Sequence, residues 1–242
     1  MFFIRKRKQE VIPSCEKVTK CAEKTNLNAI LDKVNRIYKE DPRQVKWIIK
    51  MYTDTIQNHR RLALMQSENH TDQPQDINID LDLYCSLSWD KWIARNPERK
   101  HLQKAYNLTT EPFFSNIWEK DRFCNTLLKI GSDVNNPFRQ DSNHISYYIH
   151  PIGAIFVRNG NHSVNAGMMK MEGSITPSEV LDWTIEYERN DIFFDGSKFK
   201  SRSLDDIKIN SPKELGILFE IGRFLYEKER SSDEIQSPVE SE

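Results

Sequence analysis

Ile155-Phe156-Val157-Arg158-Asn159-Gly160-Asn161-His162-Ser163 runs an apolar stretch into a short polar one. It continues as Val164-Asn165-Ala166-Gly167-Met168-Met169-Lys170-Met171-Glu172-Gly173. The β-branched and aromatic opening predicts a buried strand. Gly160 permits a tight turn, Asn161 or Ser163 is suited to cap a helix, and Gly173 is placed to end it. Val164, Met168 and Met171 then form the apolar side of that helix.

A helix start reached through a glycine turn leaves backbone N–H groups unpaired beside the positive end of the helix dipole. That arrangement suits an anion, phosphate in particular. Gly160, Asn161 and Ser163 are therefore candidate donors from backbone or hydroxyl, Asn159 belongs to the same turn, and Arg158 offers charge. His162 offers acid/base or ligand capacity. An ordinary strand–helix connection, with the asparagines merely satisfying the turn, fits these residues equally well.

Ile145–Ile149 reads as a neighbouring strand, with Pro151-Ile152-Gly153 turning the chain into Ala154–Val157. Paired as a hairpin, the two strands would bring His144 toward His162. Asp141, His144 and His150 precede the turn, and with Asp195 they offer ligands for a divalent metal or a general base beside a phosphate. The spacing matches no established metal signature, so no metal ligand is assigned. The catalytic candidates are His162, His144 and Asp141.

The flanks set the fold class. Leu27, Ile30, Leu31, Val34, Ile37 and Tyr38, then Val45, Ile48, Ile49, Tyr52 and Ile56, are spaced as two amphipathic helices around Asp41-Pro42. Phe114, Ile117, Trp118 and Leu128 predict another helix between Pro112 and Gly131, while Trp89 and Trp92 suggest a short one. Ile192–Phe194 and Ser197–Lys200 around Asp195-Gly196 predict a hairpin with a type I′ turn. Ser211-Pro212-Lys213-Glu214 reads as a capping box opening a terminal helix with Leu215, Leu218, Phe219, Gly222 and Leu225 on one face. The expectation is an α+β fold: a helical N-terminal half, a small mixed sheet from about residue 140, and a packed C-terminal helix. Its divisions are a basic helical hairpin (1–66), a linker or exposed loop (67–80), an α+β domain (81–230) with the motif at 155–173, and a disordered acidic tail (231–242).

Of the 242 residues, 38% are hydrophobic and 29% charged, a balance that fits a globular chain. No apolar run approaches the roughly eighteen residues of a membrane span, so no membrane association is expected. Met1-Phe2-Phe3-Ile4 precedes Arg5-Lys6-Arg7-Lys8, the reverse of a secretory signal. The four cysteines form no CxxC pair, which suggests a cytoplasmic protein. Residues 1–66 hold fifteen Lys/Arg against seven Asp/Glu, whereas the whole chain has a net charge of -1. A basic arm on an acidic body suggests an anionic partner such as nucleic acid, docking of one part on the other, or simply a solvated helical face.

The strand–Asn-Gly-Asn-His–helix–Gly order over Ile155 to Leu181 resembles the phosphate-binding segment of the ParB and sulfiredoxin superfamily, including its DGQHR-type members. The resemblance implies a ParB/sulfiredoxin-like sheet and nucleotide or phosphate binding. Ser163 stands where that superfamily carries a phosphate-gripping arginine, and Asn161 where sulfiredoxin carries its reactive cysteine. Over a longer span the chain resembles an uncharacterised bacterial family classed as a domain of unknown function. The shared features are Asp141-Ser142-Asn143-His144, Pro151-Ile152-Gly153, Asn159-Gly160-Asn161-His162-Ser163, Asp195-Gly196 and Phe219-Glu220-Ile221-Gly222-Arg223. The expected function is a nucleotide- or phosphate-binding module, with a nucleotide and a divalent metal as candidate cofactors and nucleic acid meeting the basic N-terminal helices. The alternative is a protein–protein interaction module without catalysis, in which the motif is structural.

Overall fold

Asn26 starts the first helix by accepting the Ala29 amide on its side-chain oxygen at 3.1 Å, and α1 (Leu27–Glu40) follows. The computed structural model describes residues 25–67, 99–204 and 211–236. Cys15, Cys21, Cys85, Trp89, Trp92 and the expected linker beyond Ser67 lie outside the described residues. Asp41 caps a 3-10 turn, Pro42–Gln44, and α2 (Val45–Gln66) returns along α1. The two apolar stripes do not form a core of their own. Val34, Val45, Ile49 and Ile56 join one cluster with Phe114, Phe156, Trp183 and Phe219.

Much of the positive charge on α2 is engaged by the rest of the chain or by α2 itself. Lys46 reaches Glu111 at 3.2 Å, Lys50 reaches Asp54 at 2.9 Å, and Arg61 Nε donates to Asn165 Oδ1 at 2.9 Å. Lys33, Arg36 and Lys39 instead border an outer groove over Ile37, Trp47 and Ile48.

The central sheet has four strands: β2 (Phe113–Ser115), β3 (Ser146–His150), β4 (Ala154–Val157) and β6 (Glu179–Asp182), in the order β2-β4-β3-β6. β2 runs parallel to β4, β4 antiparallel to β3, and β3 parallel to β6. Alternation along each strand feeds two cores. Ala154 and Phe156 face the large cluster under α1, α2 and the terminal helix, while Ile155 and Val157 face a smaller one with Phe113, Tyr148, Val164 and Val180. Burial on both faces explains why β4 reads as an unbroken apolar run. A two-stranded pair, β1 (Tyr106–Asn107) with β5 (Ser174–Ile175), flanks the smaller core. The α+β class holds, and among the described residues no helix is long and apolar enough to cross a membrane.

Several local expectations are corrected. Phe113 and Phe114 lie in strand β2, one in each core, and the helix, α3 (Lys120–Lys129), starts only after Glu119. Leu128, expected on its apolar side, is 73% exposed. β2 stays in place at the sheet edge because α2 covers it: Gln57 Oε1 accepts the Ser115 amide at 2.7 Å. The hairpin of β7 (Ile192–Phe194) and β8 (Phe199–Ser201) forms, but only Gly196 takes a positive φ (+92°) in its turn, so the turn is not type I′. Asp195 takes no part in the candidate site. It accepts the Ser197 and Lys198 amides and pairs with Lys200 at 2.7 Å, which hold its carboxyl well below the usual carboxylate range. After the short α5 (Thr184–Arg189), the terminal helix α6 (Lys213–Gln236) runs past Arg230, where the sequence suggested a tail. Ser211 Oγ has no hydrogen-bond partner, so the expected capping box does not close.

Candidate functional site

The helix after the motif is α4 (Asn161–Met169), and Gly160 stands at its N-cap with φ +78° and no side-chain cap. A residue with a Cβ is strained at that angle. A Cβ built on Gly160 would also lie 2.5 Å from His144 Cδ2. The first intrahelical bond runs from the Val164 amide to the Gly160 carbonyl at 3.0 Å. Helical geometry therefore leaves the Asn161, His162 and Ser163 amides without an intrahelical carbonyl.

The residues that carry them line a cleft of about 450 Å³ between α4, α3 and the loop before β3. Asp141, His144, Asn159, Gly160, Asn161, His162 and Ser163 all line it, joined from α3 by Arg122 and from the preceding loop by Trp118. Arg158 does not line it. Strand alternation sends that residue to the opposite face of the sheet, where its Nη1 donates to the Tyr147 hydroxyl at 2.8 Å. Nor do the asparagine and serine side chains cap the free amides. Asn161 Nδ2 donates to the Arg158 carbonyl at 3.1 Å, and Ser163 Oγ donates to the Gly160 carbonyl at 2.9 Å. The sheet also takes His150 elsewhere, to the far end of β3 from the motif turn.

His144 approaches Ser163, not His162. Its Nε2 lies 2.8 Å from Ser163 Oγ, and its Nδ1 lies 2.8 Å from Asp141 Oδ1. Successive helical residues point about 100° apart, so Ser163 meets His144 while its neighbour turns to Trp118. There the His162 ring sits 5.6 Å from the indole, centre to centre. His162 is 8% exposed and neither ring nitrogen has a hydrogen-bond partner. Burial, aided by the charge of Arg122, lowers its imidazole to about 4. At neutral pH the ring is neutral, and both of its nitrogens are shut off from solvent. Among the described residues no group of three or more His, Cys, Asp or Glu side chains is placed to hold a metal ion.

A pH dependence of stability follows. His162 titrates at about 4 in the fold, against 6.5 for an ordinary histidine, so the unfolded chain takes up its proton first as pH falls. Its contribution is intact above about pH 6.5 and is lost progressively as pH drops toward 4. Urea midpoints for the wild type should therefore fall more steeply across that window than those of His162→Gln. Parallel pH profiles would assign the effect to other groups.

A second set of polar contacts fixes α4 from behind. Asn165, fully buried, donates from Nδ2 to Ser115 Oγ and at 2.9 Å to the Asn161 carbonyl, and accepts from Arg61. Burial lowers the Arg61 guanidinium to about 10. Sequence reasoning missed Arg122, Trp118 and this support. Nothing in the local pattern marks them, because their relevance depends on packing between α2, α3 and α4.

Fold and site together define an α+β protein that presents a polar, helix-capped cleft on one side of a mixed four-stranded sheet. The chain belongs to DUF6710, a family of unknown function whose model matches residues 13–232. Searches of curated proteins and of solved structures found no match.

Proposed function

We propose that the cleft at the start of α4 binds a phosphate-bearing ligand, such as a nucleotide or another phosphate monoester. One observation carries the proposal: three first-turn amides, the cationic Arg122 and the neutral His162 converge on a single polar cleft. An anion there would meet N–H donors and the positive end of a helix dipole together. Arg122 forms no ion pair with another described residue in the structure, which leaves its charge available to such a ligand. The ParB and sulfiredoxin resemblance of the segment supports the same chemistry. Ser163 replaces that superfamily's arginine, and Arg158 faces the other side of the sheet, so one phosphate group suits the cleft better than a gripped triphosphate.

The test is a thermal-shift series with inorganic phosphate, AMP and ATP, with and without magnesium. At ten times its dissociation constant, a ligand should stabilise the fold by about 1.4 kcal/mol, or roughly 4 °C. Arg122→Ala should abolish the shift while leaving the melting temperature of the free protein nearly unchanged. The absence of any shift with all of these ligands would sink the proposal and leave a structural strand–helix turn.

A further inference from the structure

Ser163, His144 and Asp141 lie side by side in an arrangement that phosphate binding does not require. The hydroxyl is 2.8 Å from an imidazole nitrogen, and the other ring nitrogen is 2.8 Å from a carboxylate oxygen. The ring is held by its surroundings. It is 7% exposed, it packs T-shaped with Phe138 at 5.2 Å between centres, and its Cδ2 would lie 2.5 Å from a Cβ placed on Gly160. The Asp141 amide donates to Nδ1 at 2.9 Å. General-base action needs the other tautomer, with the proton on Nδ1, and the Asp141 carboxylate oxygen 2.8 Å away favours that form in exchange for the amide bond. In that tautomer Nε2 is an acceptor, and the Ser163 hydroxyl turns its single proton from the Gly160 carbonyl to Nε2 to engage it.

We infer that Ser163 is a nucleophile, His144 its general base and Asp141 the residue that positions His144, in an acyl-transfer site. The arrangement meets the geometric requirement for an activated hydroxyl: a base within hydrogen-bonding reach, oriented by a third group. A second and independent observation points to a ligand in the same cleft. The His162 side chain is more than nine-tenths buried, lines the cleft and has no hydrogen-bond partner on either nitrogen. The free first-turn amides supply donors for a developing oxyanion.

The step balances within the protein and water. Ser163 Oγ bonds to the carbonyl carbon of an ester or thioester, the carbonyl electron pair moves to oxygen, and the hydroxyl proton passes to His144 Nε2. Collapse expels the alcohol or thiol, which takes that proton. Water, deprotonated by His144, then attacks the acyl-serine; collapse of the second tetrahedral intermediate expels the Ser163 oxygen, which recovers its proton from His144. Arg122 adds a preference for substrates carrying an anionic group, and this clause alone rests on the phosphate-binding proposal.

A fluorophosphonate probe tests the nucleophile directly, because Ser163 Oγ would displace fluoride from phosphorus while His144 takes the proton. Peptide mapping of the labelled full-length chain should place the adduct on Ser163. Ser163→Ala should eliminate it and His144→Ala should slow it at least tenfold. Asp141→Asn should slow labelling at pH 7 and recover part of the rate at higher pH, which a purely structural role would not produce. In Ser163→Cys, iodoacetamide should alkylate residue 163 at pH 7 faster than in Ser163→Cys/His144→Ala. No adduct on Ser163 in folded protein, or alkylation of the cysteine independent of His144, overturns the inference. Labelling of Ser163 without any phosphate-induced thermal shift upholds the nucleophile and refutes the anion site, and a shift without labelling does the converse.

Discussion

Gly160→Ala should lower the melting temperature by roughly 9 °C and disable the cleft at the same time. Two costs combine. Placing a residue with a Cβ at φ +78° costs about 1–2 kcal/mol. The new methyl would also sit 2.5 Å from His144 Cδ2, far inside van der Waals contact. The ring cannot simply withdraw, since Phe138 flanks it and both its nitrogens are engaged. Together the two costs come to about 3 kcal/mol, and a chain of this size loses about 2–4 °C for each kcal/mol. A double-mutant cycle separates them. In a His144→Ala background the clash disappears, and Gly160→Ala should then cost only the backbone strain. Equal losses in both backgrounds would show that His144 does not rest on the glycine in solution.

The same corner shows how far the sequence could be read. Ile155-Phe156-Val157 declares a buried strand, Gly160 the turn and Val164 the helix face, because each signal is local. Hairpin pairing of β3 and β4 was equally accessible, and it brings residue 144 to the start of α4. Which residue His144 would meet was not accessible. A helix whose first residue shifts by one position exchanges His162 for Ser163 at that contact, and cap geometry decides the shift. Phe113-Phe114-Ser115 was misread for a related reason. Three residues are too few to show an alternation, and the strand's identity depends on parallel pairing with residues 155–157 and on Gln57 from α2 closing its edge. Arg158 shows the limit of proximity in sequence. It adjoins the turn, yet strand parity removes it from the cleft, and Arg122, 36 residues earlier in the chain, stands there instead.

Asn165→Ala should be the most damaging single change near the site, although Asn165 lies outside the cleft lining. Its side chain is fully buried and serves three partners: Ser115 Oγ, the Asn161 carbonyl and Arg61 Nε. Alanine takes one bond each from the buried Ser115 hydroxyl, which keeps Gln57 Oε1 at 3.3 Å, from the Arg61 guanidinium, which keeps Asn58 Oδ1 at 3.0 Å, and from the Asn161 carbonyl. Each lost bond costs about 0.5–1.5 kcal/mol, and one to a charged group about 1.5–3 kcal/mol. A total near 4 kcal/mol corresponds to a fall of roughly 12 °C. The functional effect follows from position. Asn165 grips the Asn161 carbonyl in the first turn of α4, and through Ser115 it reaches Gln57 on α2, so it ties the helix start to the sheet edge and to α2. Releasing it should loosen the amides and the Ser163 hydroxyl together. Fluorophosphonate labelling at 15 °C, where the variant remains folded, should then fall several-fold. Arg61→Met tests the partition between charge and tether: in the Asn165→Ala background it should restore part of the lost stability by removing the stranded cation, but none of the lost labelling. Recovery of both would make Arg61, and not the tether to Asn161, the element that holds the site in register.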